Sequence, residues 1–200
     1  MVLFHGTRER RGIFLGLGSN MGNRAACLER GLKFLEKRGI IPIQSSRIYA
    51  TQPVGPLRQR EFLNQVVEVA SARPTAALVA TGLAAEAALG RVRRWPQGPR
   101  PLDVDLLLDG ETILQNENVQ VPHPRLHLRR FVLVPLADLA PALRHPVLGW
   151  SITELLRRCP DRSWIRPAGA FRRLEVDAEP IYDVLRSPQS TGHRRGRLDP

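Results

Sequence analysis

The chain has few cysteines, few aromatic residues and no long apolar run. Its 200 residues include 2 cysteines and 6% aromatic residues. Two cysteines far apart in sequence exclude a disulfide framework and a zinc site with close ligand spacing. No stretch of 18 or more apolar residues occurs, so we expect no membrane span. The start Met1-Val2-Leu3-Phe4-His5 is too short for a signal peptide, and we therefore expect a cytoplasmic protein.

Lysine is also scarce, because 28 of the 30 basic residues are arginines. The formal net charge is +11 at pH 7. This charge favours polyanionic partners, either a nucleic acid bound through its phosphates or a nucleoside triphosphate. Charge alone does not distinguish between the two. A length of 200 residues with 42% hydrophobic residues predicts one domain with a sizeable core.

Hydrophobic patterning predicts a mixture of helices and strands, and glycine or proline marks the ends of some of these elements. Packing the helices against one face of the strands would give an α+β sandwich. We expect a flexible extension at residues 1–11, a main domain at 12–160 and a C-terminal extension at 161–200 that is disordered from about residue 187. The predicted strands are 13–18, 41–50, 62–70 and 102–108, and the predicted helices are 24–37, 74–89, a segment beginning at 135, and 152–158.

The strand at 102–108 carries the most informative pair of residues. Side chains alternate along a strand, so Asp103 and Asp105 project from one face while Val104 and Leu106 project from the other. Two carboxylates so close together repel unless a cation lies between them, and Mg²⁺ prefers carboxylate oxygens. A metal site is one interpretation. The other is that both aspartates decorate a solvated strand, which is common for an Asp-x-Asp pair alone.

Arginines flank this pair. Gly98-Pro99 predicts a turn before the strand, and Arg100 follows with a guanidinium that suits phosphate oxygens. Upstream, the segment Gly90-Arg91-Val92-Arg93-Arg94 adds three more guanidinium groups. Arginines beside two carboxylates indicate a metal-bound polyphosphate. In a chain so rich in arginine, a solvated basic surface is the competing explanation.

Two common nucleotide-binding motifs are absent or incomplete. The Walker phosphate loop does not occur. Gly16-x-Gly18 precedes a predicted helix, but its third glycine falls at Gly22 and no acidic residue ends the next strand. Turn chemistry explains these glycines better than a dinucleotide site does.

Four sequence blocks occur together in a characteristic order. They are Gly16-Leu17-Gly18-Ser19-Asn20, 49–56 with 62–64, Gly98-Pro99-Arg100 with Asp103-Val104-Asp105, and 121–125 with Arg129 and Phe131. Together they resemble the 6-hydroxymethyl-7,8-dihydropterin pyrophosphokinase family. The resemblance implies a ferredoxin-like α+β fold with a mostly antiparallel sheet. It also implies transfer of the diphosphate of ATP to the pterin hydroxymethyl group, with release of AMP and with two Mg²⁺ ions, as a step of folate biosynthesis.

The resemblance also implies roles for individual residues. Catalysis would fall to Arg91, Arg100, Asp103 and Asp105, and both aspartates would hold the two Mg²⁺ ions. The ATP-binding residues would be Glu86, Arg93, Leu106, His123 and Arg129, with Leu106 contributing main-chain groups. The pterin-binding residues would be Thr51, Val54, Phe62, Asn64 and Phe131, in which the two phenylalanines sandwich the flat ring.

The loop before Gly98 departs from the family pattern, because Pro96 stands where a basic residue is common and Gln97 where an aromatic residue is common. This departure leaves open a degenerate member that binds ATP or pterin without transfer. The basic charge leaves open a second alternative, a nucleic-acid-binding domain of ferredoxin-like fold, since this sheet architecture also serves RNA recognition. We expect small-molecule substrates, no specific nucleic acid, no membrane and a monomer.

Overall fold

The computed structural model describes residues 11–55, 58–92 and 97–168. Within these ranges no helix is both long and apolar enough to cross a membrane. The strands are β1 Ile13–Ser19, β2 Ile41–Ser45, β3 Tyr49–Thr51, β4 Phe62–Ala70, β5 Asp103–Asp109, β6 Leu114–Gln115, β7 Gln120–Val121 and β8 Ile165–Pro167. The helices are α1 Arg24–Glu36, α2 Thr75–Ala88, α3 Arg130–Leu139 and α4 Ile152–Arg158, with a 3₁₀ turn at Leu126–Leu128.

Six strands form one sheet in the order β5-β1-β4-β3-β8, with β2 also paired to β4. All of these pairings are antiparallel. Strands β6 and β7 form a separate antiparallel hairpin. The expected α+β architecture with a mostly antiparallel, ferredoxin-like sheet is confirmed.

Each face of the sheet has its own core, because apolar residues alternate along the strands. Leu15, Leu17 and Val67 belong to the cluster that packs under α1 and α2. Phe14 and Val66, one residue out of phase, belong to the cluster that packs under α3 and α4. The expectation that helices cover one face was wrong, since the segment 130–139 is itself amphipathic and covers the second apolar face.

Three expected elements also differ. The segment 41–50 forms two strands, because Ser46 leaves the ladder and its hydroxyl accepts a hydrogen bond from the Val66 amide at 3.0 Å. Helix α3 begins at Arg130 and contains Pro135, since burial of Val132, Leu133 and Leu136 outweighs the helix-breaking effect of one proline. Strand β8 lies within the expected C-terminal extension, where the sequence predicted no strand. It is defined by its pairing with β3 and not by a hydrophobic pattern.

A polar cluster ties α3 to the sheet. The Asp138 carboxylate on α3 accepts hydrogen bonds from the Tyr49 hydroxyl at 2.8 Å and from two Arg47 nitrogens at 2.8 and 3.1 Å. Burial alone would raise the pKa of Asp138, but the hydrogen bonds and charge of Arg47 and the Tyr49 hydroxyl outweigh it, so the pKa is lowered. The cluster therefore favours the ionised carboxylate in the folded protein.

Replacement of this aspartate, Asp138→Asn, should lower the free energy of unfolding at pH 7 by about 1 kcal/mol, because a hydrogen bond to a charged acceptor becomes a neutral one. Arg47 is half exposed, so its ion pair adds little. A carboxyl group with a lowered pKa stabilises the fold above its usual pKa of about 3.9, and loses that contribution as the pH falls through the lowered value. The difference between parent and variant should therefore shrink below pH 4.

Urea unfolding at several pH values measures this difference. The exposed Glu117→Gln variant is the charge-matched control, because it removes one carboxylate without a partner in the cluster. A parent-to-variant difference for Asp138→Asn that stays constant between pH 7 and pH 3 would contradict the role assigned to the ionised group.

Candidate active site

The candidate site lies at one end of the sheet, on the face that α3 and α4 cover only in part. Antiparallel pairing places Gly18 on β1 between Asn64 on β4 and Asp103 on β5. Thr51 on β3 pairs with Phe62 on β4. A cavity of about 210 Å³ opens here and is lined by Thr51, Gln52, Val54, Phe62, Asn64, Gln97, Arg100, Asp103, Arg125, Leu128, Arg129 and Phe131.

Asp103 is held by two arginines. One carboxylate oxygen pairs with the Arg91 guanidinium, and the other accepts from Arg100 Nη2 at 2.8 Å. Burial by itself would raise the pKa of Asp103. The positive charges and hydrogen bonds of Arg100 and Arg91 outweigh this effect, so the pKa is lowered. Asp103 is therefore the firmly ionised member of the pair.

Asp105 has weaker partners. Arg129 Nη1 lies 3.4 Å and His123 Nε2 lies 3.8 Å from its Oδ2, and 35% of the side chain is exposed. Burial and the negative charge of Asp103 raise the pKa of Asp105, and Arg129 offsets this only in part. The two carboxylates lie close together, as the sequence predicts, and the contacts of Asp105 at 3.4 and 3.8 Å are longer than the 2.8 Å pairing of Asp103 with Arg100. The charge of Asp105 is therefore less fully compensated than that of Asp103.

Glu86 lies behind the arginines and not at the cavity surface. It is buried, with 3% of its surface exposed. Its Oε1 accepts a hydrogen bond from the Val104 amide at 2.9 Å and pairs with Arg91 Nη1 at 2.6 Å. Glu86 thereby fixes the guanidinium of Arg91 against β5. A direct contact of Glu86 with ATP stays a prediction, since its carboxylate is engaged with the protein.

His123 and Arg129 lie beside Asp105, the second carboxylate of the acidic pair. The His123 Nδ1 accepts a hydrogen bond from the Arg125 amide at 3.1 Å, which leaves the proton of the neutral ring on Nε2. Burial, together with the charges of Arg129 and Arg125, lowers the pKa of His123 to about 4. His123 is therefore neutral at pH 7, and its Nε2 lies 3.4 Å from Arg129 Nη1 and 3.8 Å from Asp105 Oδ2.

The neighbouring part of the cavity is aromatic and amide-lined. Asn64 is buried, and its Nδ2 donates to Thr51 Oγ1 at 2.7 Å, so its orientation is set by the next strand. The Arg100 guanidinium lies 4.9 Å from the centre of the Phe62 ring, and that of Arg129 lies 5.4 Å from the centre of the Phe131 ring. The aromatic and phosphate-type parts of the cavity are therefore contiguous.

Eight of the sequence-predicted site residues line this cavity, namely Thr51, Val54, Phe62, Asn64, Arg100, Asp103, Arg129 and Phe131. Arg91, Asp105 and His123 lie beside it, in contact with Asp103 or Arg129, and Glu86 lies behind Arg91. Val54 lies at the rim and is half exposed. The Leu106 side chain points into the core under α1 and α2, so that only its main chain is available to a ligand. Arg93 lies outside the described residues, as does most of the departing loop at 93–96.

Four further residues line the cavity although the sequence predicted no role for them: Gln52, Gln97, Arg125 and Leu128. Gln97 was noted only as a departure from a family pattern, and its positive φ of 57° is unusual for a residue other than glycine. Its side-chain oxygen lies where a Cβ on Gly55 would be only 2.4 Å away. Gln97 could rotate this oxygen away, so it is the positive φ of 107° that favours glycine at position 55.

The residues present suit Mg²⁺ held jointly with a phosphate ligand. No group of three or more acidic, histidine or cysteine side chains that could hold a metal occurs among residues 11–55, 58–92 and 97–168. Mg²⁺ is commonly held by only one or two carboxylates together with substrate phosphates, and Asp103 and Asp105 meet that requirement. The raised pKa of Asp105 marks the point where an additional positive charge would be stabilising.

Two carboxylates, three arginines and an adjoining aromatic pocket at the end of an antiparallel sheet are typical of a metal-assisted phosphoryl-transfer site. The sequence profile of the 7,8-dihydro-6-hydroxymethylpterin-pyrophosphokinase (HPPK) family matches residues 14–141. The chain belongs to this family. The expected family resemblance is confirmed.

Individual relatives agree with this assignment. A 2-amino-4-hydroxy-6-hydroxymethyldihydropteridine pyrophosphokinase from Pseudomonas aeruginosa is 37% identical over 162 residues, which covers 79% of this chain and 98% of the relative. The folic acid synthesis protein fol1 of Pneumocystis carinii is 32% identical over 163 residues. That alignment covers 82% of this chain but only 22% of the fungal protein, so the chain corresponds to one part of it.

Solved structures support the fold. The crystal structure of Plasmodium falciparum HPPK-DHPS in its wild-type form superposes with a TM-score of 0.56 at 17% identity, and covers 73% of this chain and 43% of that one. At this identity the likeness establishes the α+β fold alone. The chain thus spans less than half of the parasite protein.

Proposed function

We propose that this chain transfers the terminal diphosphate of ATP to the hydroxymethyl group of 6-hydroxymethyl-7,8-dihydropterin, which yields AMP and the pterin diphosphate. The observation that carries the proposal is the contact between the two parts of the cavity. Arg100 pairs with Asp103 at 2.8 Å and also lies over the Phe62 ring at 4.9 Å. A flat ring bound on Phe62 would therefore have its substituent beside the carboxylates and arginines.

The pterin would occupy the aromatic part. Phe62 and Phe131 offer ring faces on which a flat heterocycle stacks. Asn64 supplies both a donor and an acceptor for the heterocycle edge, and the Thr51 hydroxyl keeps this amide from rotating. Main-chain groups near Thr51 and Val54 complete the proposed contacts. The buried amide makes the site selective, because a ligand without a matching edge would leave it unpaired.

The diphosphate would lie over β5. Two Mg²⁺ ions held by Asp103 and Asp105, when bound, would neutralise the phosphate charge and polarise the bridging oxygens. Arg91 and Arg100 now pair with Asp103, and they are close enough to exchange this carboxylate for phosphate oxygens. The further groups that we assign to ATP are Glu86, Arg93, the neutral His123 and Arg129, and the main chain of Leu106 would contact the adenine.

Formation of AMP tests this proposal directly. The full chain is incubated with ATP, Mg²⁺ and 6-hydroxymethyl-7,8-dihydropterin, and AMP is quantified by chromatography. We expect AMP only when all three are present, and loss of AMP formation when a chelator removes Mg²⁺. AMP formed without the pterin would indicate a hydrolase and contradict the proposal.

Calorimetry with each ligand separates the remaining outcomes. Heat of binding for ATP and for the pterin without any AMP would show a degenerate member of the family. Binding of single-stranded RNA with a strong salt dependence, and no heat with the pterin, would favour the nucleic-acid-binding hypothesis. Either result would overturn the proposed transfer.

A further inference from the structure

Asn20 lies directly after β1 and forms hydrogen bonds with two separate segments near the candidate site, one at Arg100 and the other at Gln59 and Arg60. It is buried, with 3% of its surface exposed. Its main-chain amide donates to the Arg100 carbonyl at 3.1 Å. Its side-chain Oδ1 accepts from the Arg100 amide at 2.8 Å. Asn20 therefore holds the main chain of Arg100 from both sides.

The other half of the Asn20 amide reaches a second loop. Its Nδ2 donates to Gln59 Oε1 at 2.9 Å and lies 3.3 Å from the Arg60 carbonyl. Gln59 Nε2 in turn donates to the Gln97 carbonyl at 3.1 Å. A chain of hydrogen bonds thus runs from Arg100 through Asn20 and Gln59 to Gln97, and both of its ends line the cavity.

The local sequence makes this anchor necessary. Arg100 stands between Pro99 and Pro101, so its amide is the only main-chain N–H donor in that tripeptide. A proline on each side restricts the backbone but supplies no hydrogen bond that would fix its position relative to the sheet. This single available N–H, that of Arg100, donates its hydrogen bond to Asn20 Oδ1. The side chain at position 20 must also donate a hydrogen bond to Gln59. Asparagine is the short residue whose side chain both accepts and donates.

We infer that Asn20 is a positioning residue of the transfer reaction, which acts through the main chain of Arg100. By fixing that main chain it sets the guanidinium that contacts Asp103 and the Phe62 ring. Its Nδ2 keeps the Gln59 loop against Gln97 on the pocket wall. The kinetic part of this inference rests on the proposed function, whereas the structural part does not.

Hydrogen exchange of the Arg100 amide tests the structural part without any substrate. The flanking prolines carry no amide hydrogens, which simplifies assignment of a peptide that spans residues 98–103. In Asn20→Ala we expect Arg100 exchange to accelerate roughly tenfold, because the acceptor is removed. In Asn20→Asp the acceptor oxygen remains, and exchange should stay much closer to that of the parent.

Asn23→Ala is the matched control. Asn23 is three residues away and caps α1 by accepting from the Ala26 amide at 3.1 Å. Its loss should lower the thermal midpoint, as loss of a helix cap does, but leave Arg100 exchange unchanged. Equal exchange at Arg100 in Asn20→Ala and Asn23→Ala would overturn the inference.

Steady-state kinetics then tests the positioning role. We expect Asn20→Ala to lower kcat by roughly tenfold or more, since misplacement of a charged group that contacts the reacting atoms is costly. Gln59→Leu keeps the hydrogen bond between Asn20 and Arg100 but loses the one from Gln59 to the Gln97 carbonyl. Its main effect should therefore be a raised KM for the pterin. A fall in kcat for Asn20→Ala without faster Arg100 exchange would overturn the route through Arg100.

These outcomes stay distinguishable from failure of the proposed function. A parent protein that forms no AMP would refute the transfer activity while the exchange experiment still decides whether Asn20 anchors Arg100. If Asn20→Ala does not fold, Asn20→Asp and Gln59→Leu carry the test. Parent-like KM values for the pterin in both variants would contradict the role assigned to the hydrogen bonds that run from Asn20 through Gln59 to Gln97.

Discussion

The Asp105→Asn variant is expected to lose turnover by about 100-fold to 1000-fold while keeping or gaining stability. The loss follows because a neutral amide is a poor substitute for a carboxylate toward Mg²⁺. Its size is taken from removal of one electrostatic stabiliser of a transition state, which typically costs about 100-fold to 1000-fold in kcat. Stability should not fall, since burial and Asp103 raise the pKa of Asp105 and its charge is therefore unfavourable in the folded protein.

Asp109→Asn on the same strand should show the opposite result. Asp109 is buried, and its Oδ2 accepts from Thr75 Oγ1 at 2.6 Å and from Arg11 Nη2 at 2.6 Å. Weakening these bonds should cost about 1–3 kcal/mol, which corresponds to a fall of roughly 2–10 °C in the thermal midpoint. Asp109 lies away from the cavity, so turnover should stay within about twofold of the parent.

Differential scanning calorimetry and the AMP assay together measure both effects. The crossed pattern matters more than either value, because it separates a role in chemistry from a role in folding on one strand. Turnover in Asp105→Asn that remains above about a tenth of the parent value would contradict a metal-binding role for this carboxylate.

Gly18→Ala is expected to raise the KM for the pterin by about 10-fold to 100-fold, which is the equivalent of leaving a buried polar group badly paired. A Cβ on Gly18 would lie 2.7 Å from Asn64 Oδ1. The Asn64 amide would have to move, and its bond to Thr51 at 2.7 Å would be lost or distorted. Asn64 could then no longer present its donor and acceptor to the heterocycle edge.

Gly16→Ala provides the control on the same face of the same strand. A Cβ on Gly16 would meet Leu107 side-chain atoms at 3.4–3.5 Å, which is ordinary van der Waals contact. We therefore expect Gly16→Ala to bind the pterin like the parent. Steady-state kinetics with the pterin as the varied substrate compares the two variants. Equal KM values would show that Asn64 does not read the heterocycle edge.

The main chemical groups of the site could be predicted from the sequence because they lie close together in it. Asp103 and Asp105 are two residues apart on a strand, and strand geometry alone places them on one face. Arg100 follows a Gly-Pro turn and lies three residues before Asp103, so its proximity is also a local property. The aromatic pocket was different, since Phe62 and Phe131 without the family resemblance would have been assigned to the core.

Several features could not be predicted because they depend on contacts between distant segments. The contacts of the Glu86 carboxylate with Arg91 and the Val104 amide are one such feature, and a role of Glu86 at the ATP site stays a prediction. Strand β8 has no hydrophobic pattern and exists through its pairing with β3. Helix α3 was expected to begin at Pro135, because a propensity argument does not include the apolar sheet face that the first turn of the helix covers.

The sequence by itself determined the carboxylate pair, its arginine neighbours, the main strands and the α+β class, since each follows from spacing along a few residues. Only the tertiary structure decided how the charges are shared. Register between β1, β4 and β5 brings Asn64, Gly18 and Asp103 side by side, and the pairing of Arg91 and Arg100 with Asp103 leaves Asp105 with the higher pKa. Electrostatic and packing interactions depend on distances in space, and residues far apart in the chain acquire such distances only on folding.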